Sequence, residues 1–286
     1  MQVGLIDIEP KVANTALMQI AYHHKQLGDT VEWADSSLPV CYEQYDDLYC
    51  SSLFTFTDKS RIPKRAICGG TGFDLTTKLP FDCDYDYSIY PDCDFSIVWF
   101  SRGCIRNCPF CVVRQKEGRI QYAGAKPLNP IGRYIKVQDN NFFASPGWVA
   151  AGARLLSMGQ PVDMQGVDVR ILTPPMLGLM AKLKHEKQIK IAWDNPKDDL
   201  VPAIKNMIEY IKPYRIMCYV LVGYWSTPKE DLYRVETLRK LGVDPFVMAY
   251  NKKDYYQKRF ARWVNRKAIF KAVKWEDYQH GGVIAG

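Results

Sequence analysis

The chain has 286 residues, room for about two domains, and its 47% apolar content can bury a full core, which excludes intrinsic disorder. Aromatics at 13% and charged residues at 24% are those of an ordinary globular protein. No apolar run reaches the ~18 residues of a bilayer span, so no membrane partner is expected. The net charge of +7 is concentrated: residues 251–286 hold nine Lys/Arg against three Asp/Glu, while the other 250 are nearly neutral.

The N-terminus, Met1-Gln2-Val3-Gly4-Leu5-Ile6-Asp7, has no basic segment, no signal-length apolar stretch and no small-residue cleavage site. A reducing cytoplasm is therefore expected. Nine cysteines cannot all pair, and in that compartment they point to metal or redox chemistry more than to a disulfide framework.

Val3, Leu5 and Ile6 read as a strand; Leu17, Ile20, His24 and Leu27 recur at helical spacing; Gly28-Asp29 ends that helix before the strand Val31 to Trp33. Another apolar stretch, Leu48 to Phe56, reads as a strand, and Cys68 to Gly72 as a glycine-rich turn. Phe81 to Asp94 lacks any period and reads as a connection, which puts a domain boundary near residue 92.

From Phe95 a local pattern repeats: a strand, a capping residue, then proline, at Ser145-Pro146, Thr173-Pro174, Asn195-Pro196 and Thr227-Pro228. A Ser, Thr or Asn cap accepts a bond from the first helical turn, and proline at the first position has no amide to leave unsatisfied. Glu230 adds a capping box to Thr227, and Gly242 closes that helix. The strands are Phe95–Phe100, Tyr134–Val137, Met164–Ile171, Ile189–Trp193, Ile216–Val222 and Phe246–Tyr250. Six strands alternating with helices predict an α/β fold with a parallel sheet, either a partial barrel of six β/α units over 93–250 or a flat doubly wound sheet. In both, chemistry gathers at the C-terminal strand ends.

At the end of the first of these strands stands Ser101-Arg102-Gly103-Cys104-Ile105-Arg106-Asn107-Cys108-Pro109-Phe110-Cys111. Three cysteines at spacings of four and three can place three thiolates on one compact metal centre. A tetrahedral zinc site wants a fourth ligand; no His or Cys lies close by in sequence, and the upstream Cys83 or Cys93 could supply it. Iron–sulfur cubes are held by thiolates, usually four; three leave one iron open to bind a reagent.

Cys104-x3-Cys108-x2-Cys111, with Phe110 before the last cysteine and a β/α series following, resembles the radical S-adenosylmethionine (SAM) superfamily over residues 95 to about 250. The resemblance implies a 4Fe-4S cluster on Cys104, Cys108 and Cys111 whose open iron chelates SAM. It further implies reductive cleavage of SAM to a 5'-deoxyadenosyl radical that takes a hydrogen atom from the substrate, with a flavodoxin or ferredoxin as electron donor. Phe110 belongs to this motif. Asp139, Asn140 and Asn141 follow the second strand, where the superfamily binds the SAM amino group or ribose. Arg170, beside Asp168 on the third strand, offers a fork for the methionyl carboxylate. Asp194 ends the fourth strand. Val222 and Gly223 end the fifth, where the family sets backbone against adenine. Asn140 and Asn195 also read as turn or capping residues.

Residues 1–92 resemble the Rossmann-type domain that precedes the barrel in cobalamin-binding radical SAM proteins, which implies cobalamin and methyl transfer. The loop after the first strand, Asp7-Ile8-Glu9-Pro10-Lys11, lacks the Asp-x-His-x-x-Gly of the lower axial histidine, and His24 shares a face with Leu17 and Ile20 as a packed histidine would. Cobalamin bound without histidine and a domain turned to substrate recognition both fit. The methylthiotransferases also resemble this layout, with Cys41, Cys50, Cys68, Cys83 and Cys93 as thiols for a second cluster, although the early cysteine they carry after the first strand is missing.

Residues 251–286 interleave Lys252, Lys253, Lys258, Arg259, Arg262, Arg266, Lys267, Lys271 and Lys274 with Tyr255, Tyr256, Phe260, Trp263, Phe270 and Trp275. Either a docked amphipathic helix presents a solvated basic face, or the tail binds a polyanion, nucleic acid or nucleotide, with aromatics stacked on bases. The leading expectation is radical SAM modification of a large or anionic substrate. A peptide-modifying enzyme and a noncatalytic metal-containing nucleic-acid-binding protein are the alternatives.

Overall fold

The computed structural model describes residues 1–34 and 39–278. They form two compact units: Met1–Val98 with Arg106–Arg119 and Gly124–Arg133, and Trp99–Ile105 with Ile120–Ala123 and the described residues from Tyr134 on. The chain is mixed α/β with parallel sheets, and among the described residues no helix is long and apolar enough to cross a membrane.

In the first unit, β1 (Gln2–Asp7), α1 (Thr15–Gln26), β2 (Thr30–Trp33), β3 (Asp47–Ser51) and β4 (Ile67–Gly69) give an all-parallel sheet of order β2-β1-β3-β4. Val3, Leu5 and Ile6 of β1 are buried. Between them Gly4 leaves room for Leu48 and Tyr45, whose side-chain carbons would lie 2.6 and 2.8 Å from an added Cβ. Asn14 starts α1 by accepting from the Ala16 and Leu17 amides, and Leu17, Met18, Ile20, Ala21 and His24 form its buried face. Leu27, expected on that face, is the C-cap and 65% exposed, since Gly28 at φ +82° turns the chain away. The strand expected to reach Phe56 stops at Ser51. The Phe81 to Asp94 segment is not a bare connection: Asp86 caps a 3-10 turn over Tyr87–Ile89 that buries Tyr87 and Ile89. The following strand, β5 (Phe95–Val98), gives its Ile97 amide to the Tyr87 hydroxyl at 2.8 Å.

Beyond β5, β6 (Ser101–Arg102) leads into the cysteine loop, α2 (Val113–Glu117) lies in the first unit, and β7 (Gln121–Tyr122) pairs antiparallel with β6. The second unit continues through β8 (Tyr134–Val137), α3 (Trp148–Met158), β9 (Val162–Met164), α4 (Pro174–Lys182), β10 (Ile189–Ala192), α5 (Val201–Tyr210), β11 (Ile216–Val222), α6 (Pro228–Lys240) and β12 (Asp244–Ala249). β8 pairs parallel with β9, β10-β11-β12 is a parallel ladder, and a parallel bridge joins Val162 to His185.

The four cap-proline pairs behave differently. Thr227 and Glu230 make the expected capping box, and Gly242 follows at φ +73°. Pro174 opens α4, but the Thr173 side chain makes no capping bond. Ser145 and Asn195 start no helix: their side chains accept from the amides two residues on, at Gly147 and Lys197, and α3 and α5 begin at Trp148 and Val201. Such side-chain turns compete with the helical ladder for the same backbone. The third strand also lies earlier than expected. It ends at Met164, and Asp168 instead caps a 3-10 turn over Val169–Ile171.

The chain after Asn251 folds as α7 (Tyr255–Asn265) and α8 (Lys267–Ala272). Asp254 caps α7 through the Gln257 amide, and Phe260, Trp263, Val264 and Phe270 are buried, each large apolar side chain contributing about 2–3 kcal/mol. Asn265 finishes the edge strand β12 by bonding both the amide and carbonyl of Val247, at 2.7 and 3.1 Å. Residues 279–286 of the expected tail lie outside the described residues.

Candidate functional site

Sequence places three thiols in one loop, and the fold fixes how that loop begins. After β5 the chain passes Trp99 and Phe100 into β6, and Gly103, at φ +82°, turns it toward Cys104. The buried Asp139 carboxylate holds this start. It accepts from the Phe100 amide at 2.8 Å, the Ser101 amide at 2.7 Å and the Ser101 hydroxyl at 2.6 Å. Burial outweighs these bonds and raises the Asp139 pKa. Asp139 is thus committed to the chain that carries Cys104. On the same turn the Arg102 guanidinium lies 3.8 Å from the Trp99 ring centre, a cation–π contact.

Cys104 belongs to the second unit, and Cys108 and Cys111 to the first. Cys104 and Cys108 are half-buried, Cys111 is exposed, and none is in a disulfide. The Cys111 amide donates to the Cys108 carbonyl at 2.9 Å, making a tight turn, and Phe110 within it is half-buried. Among the described residues no three His, Cys, Asp or Glu side chains are gathered as a metal-holding group.

Asn141 is buried, with Nδ2 4.0 Å from Cys104 Sγ and an Oδ1 that accepts no hydrogen bond among the described residues. An orphaned acceptor in a buried position costs free energy unless a donor arrives. Gly166, which sequence reasoning missed, makes this corner possible. A Cβ there would overlap the Asp139 carbonyl and the Asn140 backbone, and its own carbonyl accepts from the Phe142 amide at 3.1 Å. Asn140 is half-buried beside it.

Arg170 stands on the 3-10 turn after β9, not on a strand. Its Nε donates to Asp168 at 2.7 Å and its Nη1 to Asp198 at 2.9 Å, and these two carboxylates outweigh burial in raising its pKa. Asn195 Nδ2 donates to the same Asp198 at 3.2 Å. Asp194, after β10, is half-buried; burial raises its pKa against the pull of Arg170 and Arg234.

Arg234, on α6, was also missed. Fully buried, it donates to the carbonyls of Trp193 at 2.6 Å, Asp194 at 3.2 Å and Leu221 at 2.9 Å, and pairs with the buried Asp231 at 2.6 Å. It ties the C-terminal ends of β10 and β11 together, and Tyr256 of α7 joins by donating to Asp231 at 2.9 Å. Val222 is buried at the end of β11. Gly223 is exposed at φ +81°, with the Gln257 amide where a Cβ would project.

The first unit has its own C-terminal strand edge, and Glu9 occupies it. Its buried carboxylate accepts from the Ser52 hydroxyl at 2.9 Å, the Leu53 amide at 2.7 Å, the Phe54 amide at 3.0 Å and the Thr57 hydroxyl at 2.7 Å. These four bonds overcome the burial that would raise its pKa and hold it below the usual carboxylate range. They also hold Leu53, Phe54 and Thr57 in a loop beyond Ser52, whose amide is the last to donate to β4, at the Gly69 carbonyl. Ligands in such sheets bind where the strand order reverses, here between β1 and β3, and at that point an internal carboxylate already fills the cradle.

His24 is packed as expected, its ring between Asp29 at 2.8 Å and the Tyr49 hydroxyl at 3.2 Å. It sits where β2 begins, at the edge opposite to Glu9, and His23 stacks on Phe81. Among the described residues of this unit, no histidine lies at the C-terminal edge of its strands. No protein-family model matches the chain, and no curated protein matches it.

Proposed function

We propose that the chain is a radical SAM enzyme, its β/α series forming the partial barrel that such enzymes use, acting on a large or anionic substrate with nucleic acid or nucleotide preferred. The observation that carries the reading is the loop Cys104-x3-Cys108-x2-Cys111 at a strand end, begun by a carboxylate-anchored turn and bordered by Asn141, whose buried Oδ1 has no donor among the described residues. Three thiols outside any disulfide are the right donor type for an iron–sulfur cluster, and the vacant acceptor on Asn141 suits an ammonium group. When bound, a 4Fe-4S cluster with one open iron supplies the electron that cleaves SAM to a 5'-deoxyadenosyl radical.

The chain's own residues bind and position. Asp139 fixes the strand end from which Cys104 leaves. Asn141 accepts the SAM amino group. Arg170, oriented by Asp168 and Asp198, presents its remaining N–H groups to a carboxylate. Val222 and Gly223 offer backbone at the end of β11. Methyl transfer through cobalamin would proceed without an axial histidine, since the described residues of the first unit place none at the C-terminal strand edge.

Anaerobic reconstitution with iron and sulfide tests the reading. About four irons per chain, lost on Cys108→Ala, are expected. Dithionite and SAM should then yield 5'-deoxyadenosine. A chain that takes up no iron, or that once loaded cleaves no SAM with any reductant, refutes it.

A further inference from the structure

The tail sequence interleaves cations with aromatics, as a nucleic-acid-binding segment would, but the fold buries the large rings of that segment and leaves Tyr255 exposed. Phe260, Trp263 and Phe270 are buried, so they cannot stack on a base, while Lys252, Lys253, Lys258 and Lys271 are exposed. Other aromatic rings gather elsewhere in the same unit, a half-buried Tyr224 between two exposed neighbours. Tyr224 and Trp225, just past β11, have ring centres 4.9 Å apart, and Tyr224 lies 4.7 Å from Tyr250, just past β12. Trp225 is 42% and Tyr250 55% exposed.

We propose that Tyr224, Trp225 and Tyr250 form a stacking platform for the bases of a single-stranded nucleic acid, with Lys252 and Lys253 on its phosphates. Three observations converge on it. The rings stand at the C-terminal ends of adjacent parallel strands, the edge at which such sheets bind ligands. Tyr224 meets both neighbours at steep angles, 63° and 66°, an edge-to-face arrangement in which the flanking rings keep surface open to solvent. The segment beside the platform, Asn251-Lys252-Lys253-Asp254, carries two cations to one carboxylate: Asp254 caps α7, and Asn251 Oδ1 accepts from the Lys253 amide and shapes the turn. Phosphates on lysines and bases on rings is the arrangement by which single strands are held without sequence readout.

The inference rests on the proposed polyanionic substrate but not on the cluster, so binding is measured on the full chain without iron. The probe is a fluorescein-labelled mixed-sequence RNA or DNA strand of roughly 12 nucleotides, within the site size of such surfaces. Trp225→Ala or Tyr250→Ala should weaken binding about tenfold or more. Lys252→Ala with Lys253→Ala should lower the slope of log affinity on log salt by about 1.4. Tyr214→Ala, an exposed ring at the opposite end of β11, should change nothing. Circular dichroism verifies that each variant is folded. Absence of wild-type binding at low salt overturns the proposal, as does an equal loss from Tyr214→Ala. So does a Trp225→Ala variant that abolishes self-association and leaves strand binding intact. SAM cleavage by reconstituted protein, run in parallel, separates failure of this surface from failure of the radical reading.

Discussion

Replacing Asp139 by Asn isolates what this carboxylate does for the cysteine loop. Three hydrogen bonds converge on it, two from backbone amides and one from a hydroxyl, all between buried groups. The amide keeps one acceptor for Phe100 but turns an NH2 group toward the Ser101 amide, donor against donor. Bonds to charged groups contribute about 1.5–3 kcal/mol each, and relief of the buried charge offsets part of the loss, so Asp139→Asn should cost about 2 kcal/mol locally. Asp139→Ala leaves two buried amides without an acceptor and should cost about 4 kcal/mol. Hydrogen exchange at Phe100 and Ser101 is the assay. Protection should fall about 30-fold in the Asn variant, and Cys104 should react faster with a thiol reagent. Because the folded Asp139 pKa is raised, its contribution favours the native state below the ordinary aspartate value and declines as pH rises through the raised one, a dependence the Asn variant should lack. Protection unchanged within about twofold would refute the anchoring role.

Glu9 should behave in the opposite sense. Its folded pKa is depressed, so its stabilisation is full above the unfolded value of about 4.3 and is lost as pH falls toward the folded value. Glu9→Ala should flatten that acid limb in urea titrations, and added acetate should restore part of the stability by entering the vacated cradle. Arg234→Met leaves the buried Asp231 without a counter-ion, held only by Tyr256, and should cost about 3–5 kcal/mol, whereas Arg234→Met with Asp231→Leu should cost distinctly less; urea midpoints for the double-mutant cycle decide this. Gly223→Ala should destabilise through both its positive φ and its overlap with Gln257. Adding Gln257→Ala should restore only the overlap part, leaving about 1–2 kcal/mol in thermal melts.

What could be read in advance was local and periodic. The β1-α1-β2 start and the capping box at Thr227 follow from spacing and cap chemistry within a few residues, and both are present in the fold; for the tail, spacing leaves a docked helix and base stacking both open, and the fold buries Phe260, Trp263 and Phe270. The Cys104, Cys108 and Cys111 spacing was equally plain. The loop after β3, by contrast, is held by Glu9, more than forty residues away in sequence. Ser145 and Asn195 look like helix caps until their side chains close turns two residues long, which the sequence Ser-Pro or Asn-Pro does not distinguish. Asn141, Gly166 and Arg234 acquire their roles from partners brought close only by chain crossovers.

By itself the sequence determined an alternating α/β chain with three closely spaced thiols at a strand end and a basic tail, because helix caps, hydrophobic period and cysteine spacing act within a few residues. Only the tertiary structure decided where the carboxylates are spent, on Phe100 and Ser101, on the loop after β3 and on Arg170, and which rings are buried and which stay at the surface. Hydrogen bonds and burial depend on distance in space, and that distance is set by packing between segments far apart along the chain.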